Sequence, residues 1–286
     1  MPPLTLPADL AAALDAATPA PEADGYAPRI EVRVEDGIGW MVFDNPRRRN
    51  AVTLGMWKQI PVVCAALDAA PEVRVVALRG EGEASFVSGA DISEFDRVRS
   101  TPEDVAAYDV AGKVAGAAIL GLKKPTVAVI RTWCIGGGMA TALNCDLRFA
   151  AENTRFAVPA ARLGLGYRYA GIRTLVDIVG AAAAREIFFT ARQYDAAEAL
   201  RMGLISRTAP VEGFEAAARD YLLQIAGNAP LTVAAAKMAI NVALEDHAER
   251  DLAEVEAAVA ACFASEDYEE GRRAFREKRK PEFKGR

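Results

Sequence analysis

Apolar and polar residues alternate with a period of two near the start of the chain. The run Ile30-Glu31-Val32-Arg33-Val34 is followed by Glu35-Asp36-Gly37 and then by the apolar run Gly39-Trp40-Met41-Val42-Phe43. Alternation of this kind is typical of strands, and a short glycine-containing turn between two such runs predicts a β-hairpin.

Helical patterns and short apolar runs then alternate along the middle of the chain. The sequence predicts helices over 53–69 and 102–120, and strands over 73–78, 126–130 and 147–150. Strands separated by helices predict βαβ units with parallel pairing, and therefore an α/β fold. After about Val211 only helical periodicity remains, which predicts helices over 214–226, 231–245 and 249–264.

These patterns divide the chain into three regions. Residues 1–28 are rich in Ala and Pro and are interpreted as a flexible tail, residues 29–211 as the α/β core, and residues 212–286 as a helical region. The tail lacks the charged and apolar segments of a signal peptide, and no apolar run is long enough to span a bilayer. We expect a soluble, cytoplasmic protein with no membrane partner.

Charge and cysteine content exclude several classes of function. The formal net charge of -5 argues against general nucleic-acid binding, although local basic clusters can still hold a phosphorylated small molecule. The four cysteines have no metal-ligand spacing, and the single histidine, His247, disfavours a His-based metal site. We interpret the cysteines as reduced, buried thiols.

Three consecutive glycines, Gly136, Gly137 and Gly138, separate the strand predicted over 126–130 from a helical pattern that runs from Met139 to about Asn144. Glycines leave backbone N–H groups accessible, and a helix N-terminus adds partial positive charge. Such a turn can point N–H donors at a developing oxyanion. A close crossing of two backbones would need the same residues, so the turn alone leaves both interpretations open.

Four separated motifs decide between these two interpretations of the glycine turn. They are, in chain order, Asn45–Ala51, Phe86–Ile92, Ile135–Ala140 and Phe263–Phe283. With these motifs in this order, the chain resembles the enoyl-CoA hydratase/isomerase, or crotonase, superfamily from about residue 29 to residue 286. The resemblance implies a crotonase-like spiral of ββα units, an acyl-CoA thioester as substrate or ligand, and a C-terminal helical region that packs on other copies in a homotrimer or a dimer of trimers.

The resemblance also implies roles for particular residues. The backbone N–H groups of Ala90 and Gly137 would form an oxyanion hole for the thioester carbonyl, and no metal or redox cofactor is implied. Asp91 and Ile92 would lie near the adenine. The full set of CoA-binding candidates is Arg47, Arg49, Ala51, Ser88, Asp91, Ile92 and Lys278. The alternative for the arginines is a solvent-exposed turn without a ligand. The alternative for Lys278 is a solvent-exposed charged surface.

The sequence departs from the resembled family where proton transfer is decided. Hydratases of that family carry one glutamate two residues after the third glycine and another after a proline about twenty residues later. Those positions are Ala140 and Ala160 here. A methyl group cannot move a proton, and each lost acid or base costs about 10²- to 10⁴-fold in rate.

Few side chains offer a replacement. The segment Gly164–Gly171 carries Tyr167, Arg168 and Tyr169, so that a phenol could transfer a proton, while the guanidinium could hold a substrate carboxylate or lower a phenol pKa. The alternative is that the rings only fill volume.

Other candidate side chains are weaker. A structural role is favoured for Asp146, and Asp177 is interpreted as a surface or capping carboxylate. Cys134 lacks the basic partner that a cysteine nucleophile needs.

Two functions therefore remain. The first is a hydratase/isomerase-type enzyme that stabilises a thioester enolate and uses an atypical proton carrier. The second is a non-catalytic acyl-CoA binder or carrier that has lost the hydratase chemistry. A third interpretation, in which the fold is only an oligomeric scaffold, is weaker.

Overall fold

A computed structural model of the chain describes residues 12, 15–18, 25–246 and 248–286. Most of the expected flexible tail, residues 1–28, and His247 lie outside these described residues. The boundaries expected after residues 28 and 211 stay predictions.

The strands form two sheets. The nine strands of the described residues are β1 (Arg29–Glu35), β2 (Ile38–Asp44), β3 (Val75–Gly80), β4 (Thr126–Ile130), β5 (Trp133–Ile135), β6 (Leu147–Ala151), β7 (Arg155–Ala157), β8 (Tyr194–Asp195) and β9 (Arg207–Ala209). The larger sheet has the order β1-β2-β3-β4-β6-β9 and the smaller one the order β5-β7-β8. In the larger sheet only the β1–β2 pair is antiparallel, so the predicted parallel pairing is confirmed.

Helices connect the strands and make up the C-terminal region. In the described part of the chain they are α1 (Leu54–Ala69), α2 (Phe95–Val98), α3 (Pro102–Leu120), α4 (Gly137–Leu143), α5 (Ala160–Leu163), α6 (Tyr169–Thr190), α7 (Ala196–Arg201), α8 (Phe214–Ala226), α9 (Pro230–Leu244), α10 (Leu252–Phe263) and α11 (Glu266–Glu277). The α/β class with a C-terminal helical region is confirmed.

Local sequence signals explain several element ends. The hairpin between β1 and β2 turns at Asp36 and Gly37, which both have positive φ (48° and 80°), the conformation of a two-residue turn that matches strand twist. Helix α1 begins after Thr53, whose hydroxyl accepts a hydrogen bond from Met56 N at 3.2 Å. Helix α3 begins with a capping box between Thr101 and Asp104.

Both faces of the larger sheet are buried. Along β2, Met41 and Phe43 belong to the main core, while Trp40 and Val42 point to the opposite face. Helix α8 covers that opposite face with Phe214, Ala218 and Leu222. Burial on both faces explains why β2 is an almost continuous apolar run.

In the middle of the chain the structure differs from the sequence prediction at three places. The strand predicted over 73–78 is Val75–Gly80, and the glycine turn follows the short strand β5 and not β4. Helix α4 begins at Gly137, two residues before the predicted start. Three-residue strands such as β5 are too short to show a period, and glycines at a helix start mask its pattern.

The C-terminal helices also needed correction. Helix α10 begins at Leu252 and not at 249, and α11 was not predicted, because it consists mostly of charged residues. Ser265 caps α11 by accepting a hydrogen bond from Tyr268 N at 3.1 Å. Asp267 fixes the chain end by accepting hydrogen bonds from Lys284 N and Gly285 N.

Candidate active site

The segment around Ala90 runs parallel to the chain at Val52. Val52 N donates to the Gly89 carbonyl at 2.8 Å, and Asp91 N donates to the Val52 carbonyl at 2.9 Å. In a parallel bridge of this kind the residue between the two hydrogen-bonded neighbours has its own N–H on the far side. The N–H of Ala90 therefore points away from Val52.

The glycine turn is held between two other segments. Gly136 N donates to the Ala157 carbonyl at 2.9 Å, and Ile135 N donates to the Val87 carbonyl at 3.3 Å. Gly136 has φ 56° and ψ −113°, a conformation that side chains rarely allow. The turn therefore leads from β5 into α4 directly beside the segment that carries Ala90.

The contact between α4 and this segment is very close. A Cβ atom at position 138 would lie 2.0 Å from the Val87 carbonyl oxygen, so only glycine fits there. A Cβ atom at position 137 would lie 3.3 Å from the backbone nitrogen of Ala90. The glycines therefore make a close backbone crossing, and this crossing brings Gly137 and Ala90 together.

Two backbone donors remain available at this crossing. Among the described residues, neither Ala90 N nor Gly137 N donates a hydrogen bond to a protein acceptor. The first N–H groups of a helix have no intrahelical partner, which accounts for Gly137. A carbonyl oxygen placed between the two donors could accept from both of them.

Ala140 and Ala160 lie on the helices that follow this crossing. Ala140 is half-buried in α4, where its N donates to the Gly136 carbonyl at 3.0 Å, and Ala160 is buried at the start of α5. Because β5 and β7 are parallel neighbours, their following helices start at the same edge of the smaller sheet. The assignment of both positions to lost glutamates stays a prediction.

The three side chains of the Tyr-Arg-Tyr segment have different environments. Tyr167 is half-buried with its ring edge-on to Phe188 at 5.0 Å between centroids, and burial raises the pKa of its phenol. Arg168 Nη2 donates to Asp109 Oδ2 at 2.7 Å and is exposed, and Tyr169 is 76% exposed. Burial is the cause of the raised pKa of Tyr167, and the role expected for Arg168 stays a prediction.

The residues expected near CoA begin with the arginine loop. Arg48 forms an ion pair with the buried Asp91 at 3.0 Å. Burial raises the pKa of Asp91, but hydrogen bonds from Ser93 and Arg48 outweigh it and hold that pKa below its usual range. The Asp91 carboxylate therefore fixes the loop to the Ala90 segment. Arg47 lies over the ring of Tyr26, 4.4 Å from its centroid.

The remaining candidates surround this loop or lie at the chain end. Ser88 Oγ donates to the Arg48 carbonyl at 3.1 Å, Ala51 is buried, and Ile92 is 76% exposed. Arg49 has φ 53° and is exposed, while Lys278 ends α11 and is exposed. Their contact with CoA stays a prediction.

The other side chains considered from the sequence have structural contacts. Burial raises the pKa of Cys134, so its sulfur is a neutral thiol. Asp146 accepts from Thr126 N at 2.7 Å and pairs with Lys237 at 2.8 Å, as a structural role requires, and Asp177 is exposed near Arg173. All four cysteines are unpaired, but Cys262 is only half-buried, which corrects the expectation that all are buried.

Sequence reasoning missed a polar cluster beside the crossing. Trp57 Nε1 donates to the Tyr108 hydroxyl at 3.1 Å, and that hydroxyl lies 3.5 Å from the Val52 carbonyl. Arg99 lies over the Tyr108 ring, 4.4 Å from its centroid, and Asp109 lies between Arg99 and Arg168. These residues belong to no sequence motif. The one signal in the sequence is that Tyr108 is an uncharged aromatic residue in α3.

Known proteins are similar to this chain in sequence and in fold. The family model described as enoyl-CoA hydratase/isomerase matches residues 33–286. The short-chain-enoyl-CoA hydratase of Clostridium acetobutylicum is 33% identical over 88% of this chain and 96% of its own length. The crotonyl-CoA hydratase of Syntrophomonas wolfei is 28% identical over 89% of this chain and 97% of its own length.

A solved structure is also similar to this chain in fold and sequence. The crystal structure of an enoyl-CoA hydratase/carnithine racemase from Magnetospirillum magneticum has a TM-score of 0.85 and 33% identity, and the match covers 90% of this chain and 96% of that one. The spiral α/β fold and the backbone crossing thus define a crotonase-fold protein. The chain belongs to the enoyl-CoA hydratase/isomerase family. No helix in the described residues is long and apolar enough to cross a membrane.

Proposed function

We propose that this chain binds an acyl-CoA thioester and polarises its carbonyl group with the N–H groups of Ala90 and Gly137. The observation that carries the proposal is the close approach of these two residues, each with a free N–H at the crossing. The proposed ligand agrees with the family and with the names of the relatives.

Polarisation of this carbonyl has a direct chemical consequence. Hydrogen bonds to the thioester oxygen stabilise the enolate that forms when a proton leaves Cα or when a nucleophile adds at Cβ. One such donor lowers the barrier by about 3 kcal/mol. Because the backbone donors take up the developing charge, the proposed reaction requires no metal and no redox cofactor.

We propose Tyr167 as the atypical proton carrier. Its hydroxyl has no protein hydrogen-bond partner among the described residues, so it can serve a bound substrate. Since burial raises the pKa of its phenol, the group stays protonated at neutral pH and would donate a proton to the enolate. The exposed Tyr169 has no such desolvated surroundings.

The second candidate is a non-catalytic acyl-CoA binder or carrier. It is favoured by the methyl groups of Ala140 and Ala160, neither of which can transfer a proton. The backbone donors would bind the thioester equally well in such a protein.

A test separates the two candidates by binding and turnover. Crotonyl-CoA affinity is measured by titration calorimetry and hydration by loss of the enoyl absorbance. The enzyme hypothesis expects turnover that falls by about 10²-fold or more in Tyr167→Phe while the Kd stays within about twofold. Tyr221→Phe, a half-buried tyrosine stacked on Phe149 across the sheet, is the matched control.

Other outcomes contradict parts of the proposal. Tight binding by the unmodified protein without turnover of any enoyl-CoA would establish the binder. Turnover that survives Tyr167→Phe but is lost in Tyr169→Phe would assign the proton transfer to Tyr169. Failure to bind any acyl-CoA would contradict the proposed function itself.

We also propose that the C-terminal helices contact other copies of the chain. Helices α10 and α11 expose the large apolar side chains of Phe263 and Phe275, which are 63% and 87% exposed. Exposed apolar patches of this kind mark interaction sites. Sedimentation velocity should give the mass of a trimer or a hexamer, and a monomer at micromolar concentration would contradict this assembly.

A further inference from the structure

Arg99 occupies an unusual position beside the crossing. It directly follows helix α2 as its C-cap residue, and its guanidinium lies over two aromatic rings, 4.6 Å from the centroid of Phe95 and 4.4 Å from that of Tyr108. The Arg99 side chain is 27% exposed, and Tyr108 is buried. The rings therefore hold a partly desolvated cation in one place.

This cation has too few hydrogen-bond partners. A guanidinium has five N–H donors, and among the described residues Arg99 uses one, from Nη2 to Asp109 Oδ1 at the long distance of 3.5 Å. Its Nε is buried and has no acceptor. The terminal nitrogen Nη1 also has no protein acceptor among the described residues, and because it is not buried it is the part of the guanidinium that a ligand can reach.

The only carboxylate bound to Arg99 in the described residues is shared. Asp109 Oδ2 accepts from Arg168 Nη2 at 2.7 Å, which is much shorter than the contact of Asp109 with Arg99. Two guanidinium groups thus have one carboxylate between them. Asp109 therefore does not neutralise both groups equally, and its contact is the weaker one at Arg99, the more buried of the two arginines.

The cluster is close to the proposed acyl site. Arg99 contacts Tyr108, the Tyr108 hydroxyl lies 3.5 Å from the Val52 carbonyl, and Val52 is bridged to Ala90. On the other side, Arg168 directly follows Tyr167. The cluster therefore connects the segment that carries Ala90 with the segment that carries Tyr167.

From this arrangement we infer that Arg99, assisted by Arg168, binds a carboxylate at the far end of the acyl group. The substrate class is then an ω-carboxyacyl-CoA thioester, and Arg99 is its specificity-determining residue. A carboxylate can accept two parallel hydrogen bonds from the terminal nitrogens Nη1 and Nη2 of a guanidinium. This inference rests on the proposed function, because it requires that the chain binds acyl-CoA.

The test compares acyl groups of equal length with and without the terminal carboxylate. The Kd values of glutaryl-CoA and adipyl-CoA are measured by calorimetry against those of valeryl-CoA and hexanoyl-CoA. We expect the unmodified protein to bind at least one carboxylate form about tenfold more tightly than its uncharged counterpart. Arg99→Gln should remove this preference and leave the Kd of the uncharged thioesters within about twofold.

Two further variants make the result specific. Arg97→Gln removes an exposed arginine two positions away and should keep the preference. Asp109→Asn removes the competing carboxylate and should increase the preference, because Arg99 and Arg168 then have no anion between them. This increase cannot arise from a misfolded protein.

Several outcomes would overturn the inference. Equal or weaker binding of the carboxylate forms by the unmodified protein would overturn it while leaving the proposed function intact. Equal weakening of charged and uncharged thioesters in Arg99→Gln would assign Arg99 a structural role. If no acyl-CoA binds at all, it is the proposed function that fails.

Discussion

The three glycines of the turn are needed for three different physical reasons. Gly136 supplies a backbone conformation with φ 56°, Gly137 leaves its N–H open beside Ala90, and Gly138 leaves room for the carbonyl of Val87. The conformational freedom of glycine explains only the first of these. At position 138, what matters is the absence of a single methyl group.

Gly138→Ala should therefore destabilise the fold strongly. A Cβ atom would lie 2.0 Å from the Val87 carbonyl oxygen, which belongs to backbone and cannot move like a side chain end. We expect a loss of about 3 kcal/mol in the free energy of unfolding, measured by urea denaturation. Gly112→Ala, in a helix with open space around it, is the control and should not destabilise. An unchanged Gly138→Ala variant would disprove the close crossing.

Sequence alone could identify the glycines but not the surroundings of the charged side chains. The run Gly136–Gly138 is contiguous, so its pattern is visible. In contrast, Arg99, Asp109 and Arg168 come from three separate segments, and only packing brings them together. The same holds for Tyr167 and Tyr169, which look equivalent in sequence but differ in burial, because α6 starts between them.

At the scale of elements, helix α4 is fixed at both ends. The glycine crossing holds its N-terminus, and the buried Arg148 of β6 holds its C-terminal end. Arg148 donates to the Cys145 carbonyl at 2.8 Å, to the Ala142 carbonyl at 3.4 Å and to the Leu204 carbonyl at 2.7 Å. A cation beside these carbonyls also interacts favourably with the helix dipole.

Arg148→Met should loosen this helix. Methionine keeps much of the aliphatic volume but leaves the Cys145 and Leu204 carbonyls without a donor, so we expect a loss of about 3 kcal/mol in the free energy of unfolding. The measurement is urea denaturation, with Arg155→Met on the exposed part of β7 as the control. Equal stability of the two variants would show that Arg148 does not anchor α4.

The longer elements could be predicted because their periodicity extends over several turns or pairs. The bounds of α3, β4 and α8 agree with the prediction. The short strands β5 and β7 could not be predicted, since three residues carry no measurable period and their pairing depends on a distant partner. Helix α11 was missed because most of its residues are charged, although its pattern is strongly sided and buries Asp267, Glu270 and Ala274 on one face.

At the scale of the whole molecule, the main core on one face of the larger sheet contains three buried thiols, those of Cys64, Cys134 and Cys145. Burial raises the pKa of Cys64 and of Cys145 to about 12, and it also raises the pKa of Cys134, from an ordinary value of 9.0. The folded chain therefore holds these protons more tightly than the unfolded chain does. At neutral pH both states are protonated, and the thiols add no pH dependence.

Stability should consequently fall as the pH rises above 9. Between about pH 9 and 12 the unfolded chain releases thiol protons that the folded chain retains, which lowers the free energy of unfolding by up to about 1.4 kcal/mol per pH unit and thiol. Urea denaturation between pH 8 and 10.5 measures the slope. Cys64→Ala should reduce it, with the half-buried Cys262→Ala as the control. An unchanged slope in Cys64→Ala would contradict this linkage.

The central claim is that Ala90 and Gly137 polarise a thioester carbonyl. The most direct measurement is the absorption spectrum of a conjugated thioester such as 2,4-hexadienoyl-CoA, because hydrogen bonds to its carbonyl move the band to longer wavelength. We expect a red shift on binding to the unmodified protein and to Gly112→Ala. In Gly137→Ala the shift should be lost, since the new methyl group lies 3.3 Å from Ala90 N and crowds this donor. Binding with no red shift, or a full red shift in Gly137→Ala, would contradict the claim.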